Sequence, residues 1–221
     1  MELVLVKDDG MKFTVAIDGP AAAGKGTISK AIAVNFKFAH LDTGLLYRGV
    51  GKKALAYSRT SFYPEVSKQL ALELTPDDLL SDDLRTDEVA QAASKVAIIS
   101  EVRDVLFDFQ RNFADQEGGT VLDGRDIGTT ICPNADVKLF ITASAEVRAL
   151  RRFKELTKKG HKVSFQDVLN DVFERDTRDR ERTVSPLVAA EDAIIIDTSN
   201  LSIEVAISTA IQAVKVKFIV K

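Results

Sequence analysis

Gly19-Pro20-Ala21-Ala22-Ala23-Gly24-Lys25-Gly26-Thr27 follows the apolar run Phe13 to Asp18 and leads into a helix-like segment that begins near Lys25. Phe13-Thr14-Val15-Ala16-Ile17 is β-branched and aromatic and reads as a buried strand. Gly19 and Gly24 let the backbone turn back so that its N–H groups point inward, and the following helix adds its positive N-terminal end at the same point. Lys25 then carries a full charge to the β- and γ-phosphates of a nucleotide. The Thr27 hydroxyl can donate to a phosphate oxygen or face a magnesium shell. The stretch reads as a triphosphate-binding loop at the end of the first core strand.

Outward from the loop, the 221 residues suit one α/β domain with a small inserted or mobile subdomain, and a hydrophobic fraction of 45% supports a substantial core. The 30 basic and 33 acidic residues, with pI near 5.5, give no overall field that attracts nucleic acid or a membrane surface. Anion binding must therefore be local. Cys132 is the single cysteine, which excludes an internal disulfide and a thiolate metal cluster, and two scattered histidines supply no metal pair. No run approaches the roughly 18 apolar residues that span a bilayer, and the N-terminus lacks the order of a secretory signal. A cytoplasmic location follows as the expectation, with a monomer as the default state. Residues 1–10 read either as a short extra strand, through Leu3-Val4-Leu5-Val6, or as a dispensable extension ahead of Met11.

Along the chain, Ile28 to Phe36 continues as an amphipathic helix, Phe38 to Asp42 is a second strand, and Thr43-Gly44 opens a helix carrying Tyr47 and Arg48. The weaker helical pattern of Ser58 to Ser81 marks the inserted region. Thr86 is an N-cap, and helix runs from there to Gln116. Ser94 and Arg103 lie nine positions apart in it, on opposite sides of a straight helix, so a break near Ser100-Glu101 is needed to bring both to one ligand. Thr120 to Asp123 is a strand ending in a carboxylate suited to organising magnesium, followed by the charged turn Gly124-Arg125-Asp126-Ile127-Gly128. Val137 to Thr142 is the fourth strand. The helix Ser144 to Lys158 carries Arg148, Arg151 and Arg152, which read as a solvated face or as stabilisers near a nucleotide. Ser164 caps the next helix, and Ala193 to Asp197 is the last buried strand before a terminal helix. Strand and helix alternate, so a five-stranded parallel sheet covered by helices on both faces is expected.

A second concentration of signal lies at Glu174 to Arg182, where Arg175, Arg178, Arg180 and Arg182 are interleaved with carboxylates. Phosphoryl transfer spreads charge over three oxygens, and an arginine-rich segment that closes after binding supplies cations and excludes water. Lid is the reading here.

Together, the Gly-Lys-Gly-Thr form of the loop, typical of nucleoside-monophosphate kinases, Leu41-Asp42-Thr43-Gly44 with Tyr47-Arg48, Asp123-Gly124-Arg125-Asp126-Ile127-Gly128-Thr129, and Glu174 through Arg182 resemble the bacterial cytidylate kinases, from about Phe13 to the C-terminus. The resemblance implies a P-loop kinase fold. Its core would comprise about 13–48, 118–158 and 186–221, its acceptor-binding region about 49–117 and its lid about 159–185. It implies ATP-dependent phosphorylation of CMP or dCMP with magnesium, in pyrimidine nucleotide metabolism. Gly19, Pro20, Ala21, Ala22, Ala23, Gly24, Lys25, Gly26 and Thr27 would hold ATP. Arg48 and Arg125 would bind the acceptor phosphate with Thr43 nearby. Ser94, Arg103 and Asp126 would read cytosine, Arg175, Asp179 and Arg182 would meet the sugar and the transferring phosphate, and Arg178 and Arg180 would be lid cations. Asp123 would reach the metal through water. Cytosine offers an amino donor to a carboxylate and two acceptors to Arg and Ser. Uracil would leave Asp126 facing a carbonyl, a mismatch of about 1 to 3 kcal/mol. The segment between Arg48 and Arg85 is shorter than in long bacterial members and lacks a strand-rich insert. Rival readings are a P-loop kinase of another small acceptor, and a nucleotide-binding switch, against which the second anion site formed by Arg48 and Arg125 counts.

Overall fold

The chain alternates strand and helix through β1 (Thr14–Asp18), α1 (Lys25–Phe36), β2 (Ala39–Asp42), α2 (Thr43–Tyr57), α3 (Pro64–Leu72), α4 (Asp87–Val96) and α5 (Ser100–Ala114). It continues with β3 (Thr120–Asp123), β4 (Val137–Thr142), α6 (Ala145–Lys158), α7 (Phe165–Glu181), β5 (Ile194–Asp197) and α8 (Ile203–Val220). The computed structural model describes residues 11–59 and 61–220, so the strand or extension expected within 1–10 lies outside the described residues.

All strand pairs are parallel, in the order β2-β3-β1-β4-β5. Alternation along the strands sends Val15, Ile17, Val121, Leu139 and Ile141 to one face, where α1 and α8 cover them with Ile28, Ile32, Ala210 and Val214. Phe13 and Phe218 meet edge to face there, 5.0 Å between centroids. Ala16 and Leu122 face the other way, against Ala114, Ile127 and Ile131. Both faces are covered, as the apolar strands require. The last strand departs from expectation. β5 is an edge strand with Ile194 40% and Ile195 56% exposed, because helix covers one side of it and leaves the other open.

Two smaller cores stand beside the sheet. Leu46, Val50, Ala71, Val96, Val102 and Leu106 join α2 to α5 into a helical unit, and Ala149, Leu156, Val168 and Val172 lock α7 on α6. The expected long helix is two helices, with the break at 97–99, just ahead of the place the spacing of Ser94 and Arg103 demanded. Thr86 caps α4 by accepting from the Val89 N–H, and Ser164 caps α7 by accepting from that of Asp167.

In the helical unit α2 approaches α4 closely: a methyl on Gly51 would stand 2.7 Å from the Ala93 backbone nitrogen. Backbone cannot step aside as a side chain can. Gly51→Ala is therefore expected to lose about 1 to 3 kcal/mol despite the better helix propensity of alanine. Thermal unfolding should register a fall of several degrees. An unchanged midpoint would refute the close packing.

Candidate functional site

In a parallel sheet all carboxyl ends lie at one edge, and ligands bind in the crevice outside them. Here the register levels Asp42 of β2 with Asp123 of β3, and Ile17 of β1 with the same Asp123. A cleft of about 630 Å³ opens over these ends, lined by the loop from Ala21 to Thr27 on one side and by α2, α4 and α7 on the others.

The loop is shaped by backbone that few residues tolerate. Gly19 lies at φ 145, and a Cβ there would fall 1.9 Å from the Ile141 carbonyl oxygen. Gly24 caps α1 at φ 98, and Ala22 occupies the left-handed region at φ 59. Lys25, the first residue of α1, is buried, and its Nζ donates to the carbonyls of Gly19 at 2.7 Å and Pro20 at 2.8 Å. Burial, reinforced by Arg125, pushes its ammonium pKa well below the ordinary lysine range, so the charge is poised to gain from an anion.

Opposite the loop, Asp123 accepts at Oδ2 from Ser29 Oγ and is 2.7 Å from His40 Nε2 on the same oxygen. Burial raises its pKa, but the bonds from His40 and Ser29 and the charge of Lys25 outweigh that and hold it low. Asp42 beside it is raised, by burial first and then by the Asp123 charge. Two crowded carboxylates with one oxygen of Asp123 unengaged fit a magnesium ion that keeps waters and phosphate oxygens as its other ligands. No cluster of three His, Cys, Asp or Glu that could hold a metal by itself occurs among the described residues.

At the far end, Arg103 Nη2 donates to Asp126 Oδ2, and Arg182 Nη2 lies 3.4 Å from Asp126 Oδ1. Arg125 Nε donates to Asp179 at 2.9 Å, Arg48 Nη1 donates to the Leu84 carbonyl at 2.7 Å, and the Thr43 hydroxyl donates to the Asp123 carbonyl at 2.8 Å. Arg175 carries no carboxylate bond of its own; burial and the neighbouring Arg125 lower its pKa to about 9. Burial would raise Asp179, but Arg125 and Arg175 hold it low. Three buried polar atoms here have no partner: Ser94 Oγ, Arg103 Nη1 and Arg175 Nε.

Of the sequence-picked residues, Ala21 to Thr27, Thr43, Arg48, Ser94, Asp123, Arg125, Asp126, Arg175, Asp179 and Arg182 line the cleft. Gly19 and Pro20 stand behind Lys25, and Arg103 stands behind Asp126. Arg178 is half-buried on Gln91 at 3.0 Å, and Arg180 is exposed and does not line the cleft, because the segment is the regular end of α7 and turns only part of its face inward. The solvated-face reading of the α6 arginines is corrected. Arg148 is 2% exposed, forks onto Asp176 at 2.8 and 2.5 Å and donates to the Ala21 carbonyl, while Arg151 grips Thr198 and Ala23. Arg152 is paired with Asp87. Sequence reasoning passed over Asp87 and Gln91 as lining residues; the successive spacings of four from Asp87 to Gln91 and three from Gln91 to Ser94, on one helix face, were the signal. Arg85, 57% exposed near Asp42, gave none beyond its charge.

A model of the cytidylate kinase family matches residues 15–216. The chain belongs to the cytidylate kinase family. It is 56% identical over 207 residues to the cytidylate kinase of Cereibacter sphaeroides strain KD131, covering 94% of this chain and 97% of that one. It is 52% identical over 204 residues to that of Paramagnetospirillum magneticum, covering 91% and 97%. An uncharacterized protein from Eubacterium ventriosum, solved by crystallography, shares the fold at a TM-score of 0.53 and 16% identity over 93% of this chain and 99% of that one. Membership makes this chain an ATP-dependent phosphotransferase of the P-loop kinase class, and no helix among the described residues is long and apolar enough to cross a membrane.

Proposed function

We propose that this cytidylate kinase family member transfers the γ-phosphoryl group of ATP to CMP or dCMP, giving CDP or dCDP and ADP, as a cytoplasmic monomer in pyrimidine nucleotide metabolism. The observation that carries the choice of acceptor is Arg103, bound to Asp126 through Nη2 with its buried Nη1 unpartnered, in the same cleft as the unpartnered buried Ser94 Oγ. Buried polar atoms seldom go unpaired, and a cytosine with its O2 and N3 acceptors and amino donor offers partners to the set around Asp126.

On this reading, about 13–48, 118–158 and 186–221 form the core, about 49–117 the acceptor-binding region and about 159–185 the lid. Gly19 to Thr27 hold the ATP phosphates, Arg48 and Arg125 with Thr43 hold the acceptor phosphate, and Arg175, Asp179 and Arg182 orient the sugar and the transferring group. Arg178 and Arg180 act as lid cations from the rim. Asp123 would hold a magnesium ion through water; when bound, that ion neutralises charge on the ATP phosphates. An oxygen of the acceptor phosphate bonds to the γ-phosphorus as the bond from that phosphorus to the β–γ bridging oxygen breaks, and the electron pair leaves on ADP. The acceptor phosphate is largely dianionic at neutral pH, so no strong base is needed. Lys25 and the arginines work by position and charge.

ADP formation from ATP and magnesium, measured with CMP, dCMP, UMP and AMP offered separately, tests the proposal. Strong turnover with CMP and dCMP and weak turnover with the others is expected, and Asp126→Ala should erode the CMP preference by about 1 to 3 kcal/mol, roughly five- to 150-fold. Equal use of UMP by the unmutated protein would overturn the base-reading assignment, and ATP binding with no acceptor used would favour the switch.

A further inference from the structure

Asp18 ends β1 immediately before Gly19, yet its carboxylate serves the other side of the cleft. It is 4% exposed. Its Oδ1 accepts from the Ile127 N–H and its Oδ2 from the Gly128 N–H, both at 2.7 Å. Those two N–H groups open the short π-helical turn Ile127–Ile131, whose own bonds start only at Thr130 and Ile131, both onto the Asp126 carbonyl. The first N–H groups of any helical turn lack partners within it, and here one side chain supplies both. The fit is close: a Cβ on Gly128 would lie 3.4 Å from Asp18 Oδ2 and 3.2 Å from Lys138 Cδ.

The preceding residue in this turn is Asp126, at φ −144 and ψ 26. Its carboxylate is shared by Arg103 and Arg182, so a small rotation of its backbone would move the whole set. The turn is not part of the sheet; among the described residues, besides Asp18, it is tied by the Gly124 N–H, which donates to the Ile17 carbonyl, and at its far end by Arg111 Nη1, which donates to the Ile131 carbonyl at 2.8 Å. The phosphate loop is better secured, since β1 is paired on both sides up to Ile17 and Asp18.

We propose that Asp18 is a positioning residue for acceptor recognition: by filling both N–H groups after Asp126 it fixes the direction of the carboxylate that reads the base. The inference rests on the reading of Asp126 as the base contact. It differs from a role in ATP binding, which the place of Asp18 next to the loop would suggest. Asparagine at position 18 keeps size and offers a single acceptor oxygen, so its amide nitrogen meets the second N–H as donor against donor. The turn must shift to relieve that.

The test is Asp18→Asn assayed beside Asp126→Ala and the unmutated protein. For Asp18→Asn, KM and the calorimetric Kd for CMP should rise about tenfold, or about 1.4 kcal/mol. The ratio of kcat/KM for CMP over UMP should fall by a similar factor, with the ATP constants within about threefold. An unchanged CMP/UMP ratio, or equal losses on CMP and ATP, overturns the role of Asp18. If Asp126→Ala also leaves the ratio intact, it is the base-reading assignment that fails. Amide exchange in the unmutated protein decides without any variant. The Ile127 and Gly128 amides should be protected to the level of Val15 in β1, and fast exchange there would sink the inference.

Discussion

Lys25→Ala is expected to lower phosphoryl transfer by about a thousandfold or more while leaving circular dichroism and the unfolding midpoint close to those of the unmutated protein. The magnitude follows from removing a full charge, rather than one neutral donor, from a site where donors are worth about a hundred- to a thousandfold each. Among the described residues its buried ammonium hydrogen-bonds only to the carbonyls of Gly19 and Pro20, and electrostatically it is far better matched to a polyphosphate than to them. The fold should survive because its hydrogen bonds, among the described residues, stay within its own loop. Turnover within tenfold of normal would remove the phosphate loop from the mechanism.

Arg148→Ala should have the opposite profile, a large loss of stability. Arg148 joins the Ala143 carbonyl at the start of α6, the Ala21 carbonyl of the loop and both oxygens of Asp176 on α7. Truncating it leaves a carboxylate 7% exposed and without its cation. Breaking a buried pair in this way costs about 3 to 5 kcal/mol, a fall in midpoint on the order of 10 °C for a chain of this size. Arg148→Ala with Asp176→Ala should recover part of the loss, since no orphan charge remains. Thermal and urea unfolding measure both, and a single-variant loss below about 1 kcal/mol would show that the pair is not the fastening it looks to be.

Much of this architecture was legible in the chain. β1 and the loop stood out because β-branched residues run directly into Gly19 and Gly24, and the parallel sheet followed from alternation alone. The break between α4 and α5 was readable too, since Ser94 and Arg103 could not face one ligand on a straight helix. What the sequence hid is long-range pairing. Nothing near Arg148 announces Asp176, twenty-eight positions away, and an arginine on a helix with Arg151 and Arg152 looks like a solvated face until α7 is laid over it. The exposure of β5 escaped for a related reason: an apolar run reveals that a strand is apolar, while its place at the sheet edge depends on the order of the other strands. Asp18 read as the last residue of a strand, and its second partner lies 110 positions on.

One feature of the cleft bears on how a nucleotide reaches it. Arg103, Arg125 and Arg182 each already face a carboxylate, Asp126 or Asp179. Seen from a distance such pairs are dipoles, whose field decays faster than that of a bare cation, and the chain as a whole carries a net charge of −3. Those three guanidinia therefore draw a passing phosphorylated molecule only weakly, and the long-range pull falls to cations such as Lys25 and Arg48, whose hydrogen bonds go to backbone carbonyls. Discrimination is deferred to contact, where a ligand of the right shape must offer each guanidinium as good a partner as the carboxylate beside it.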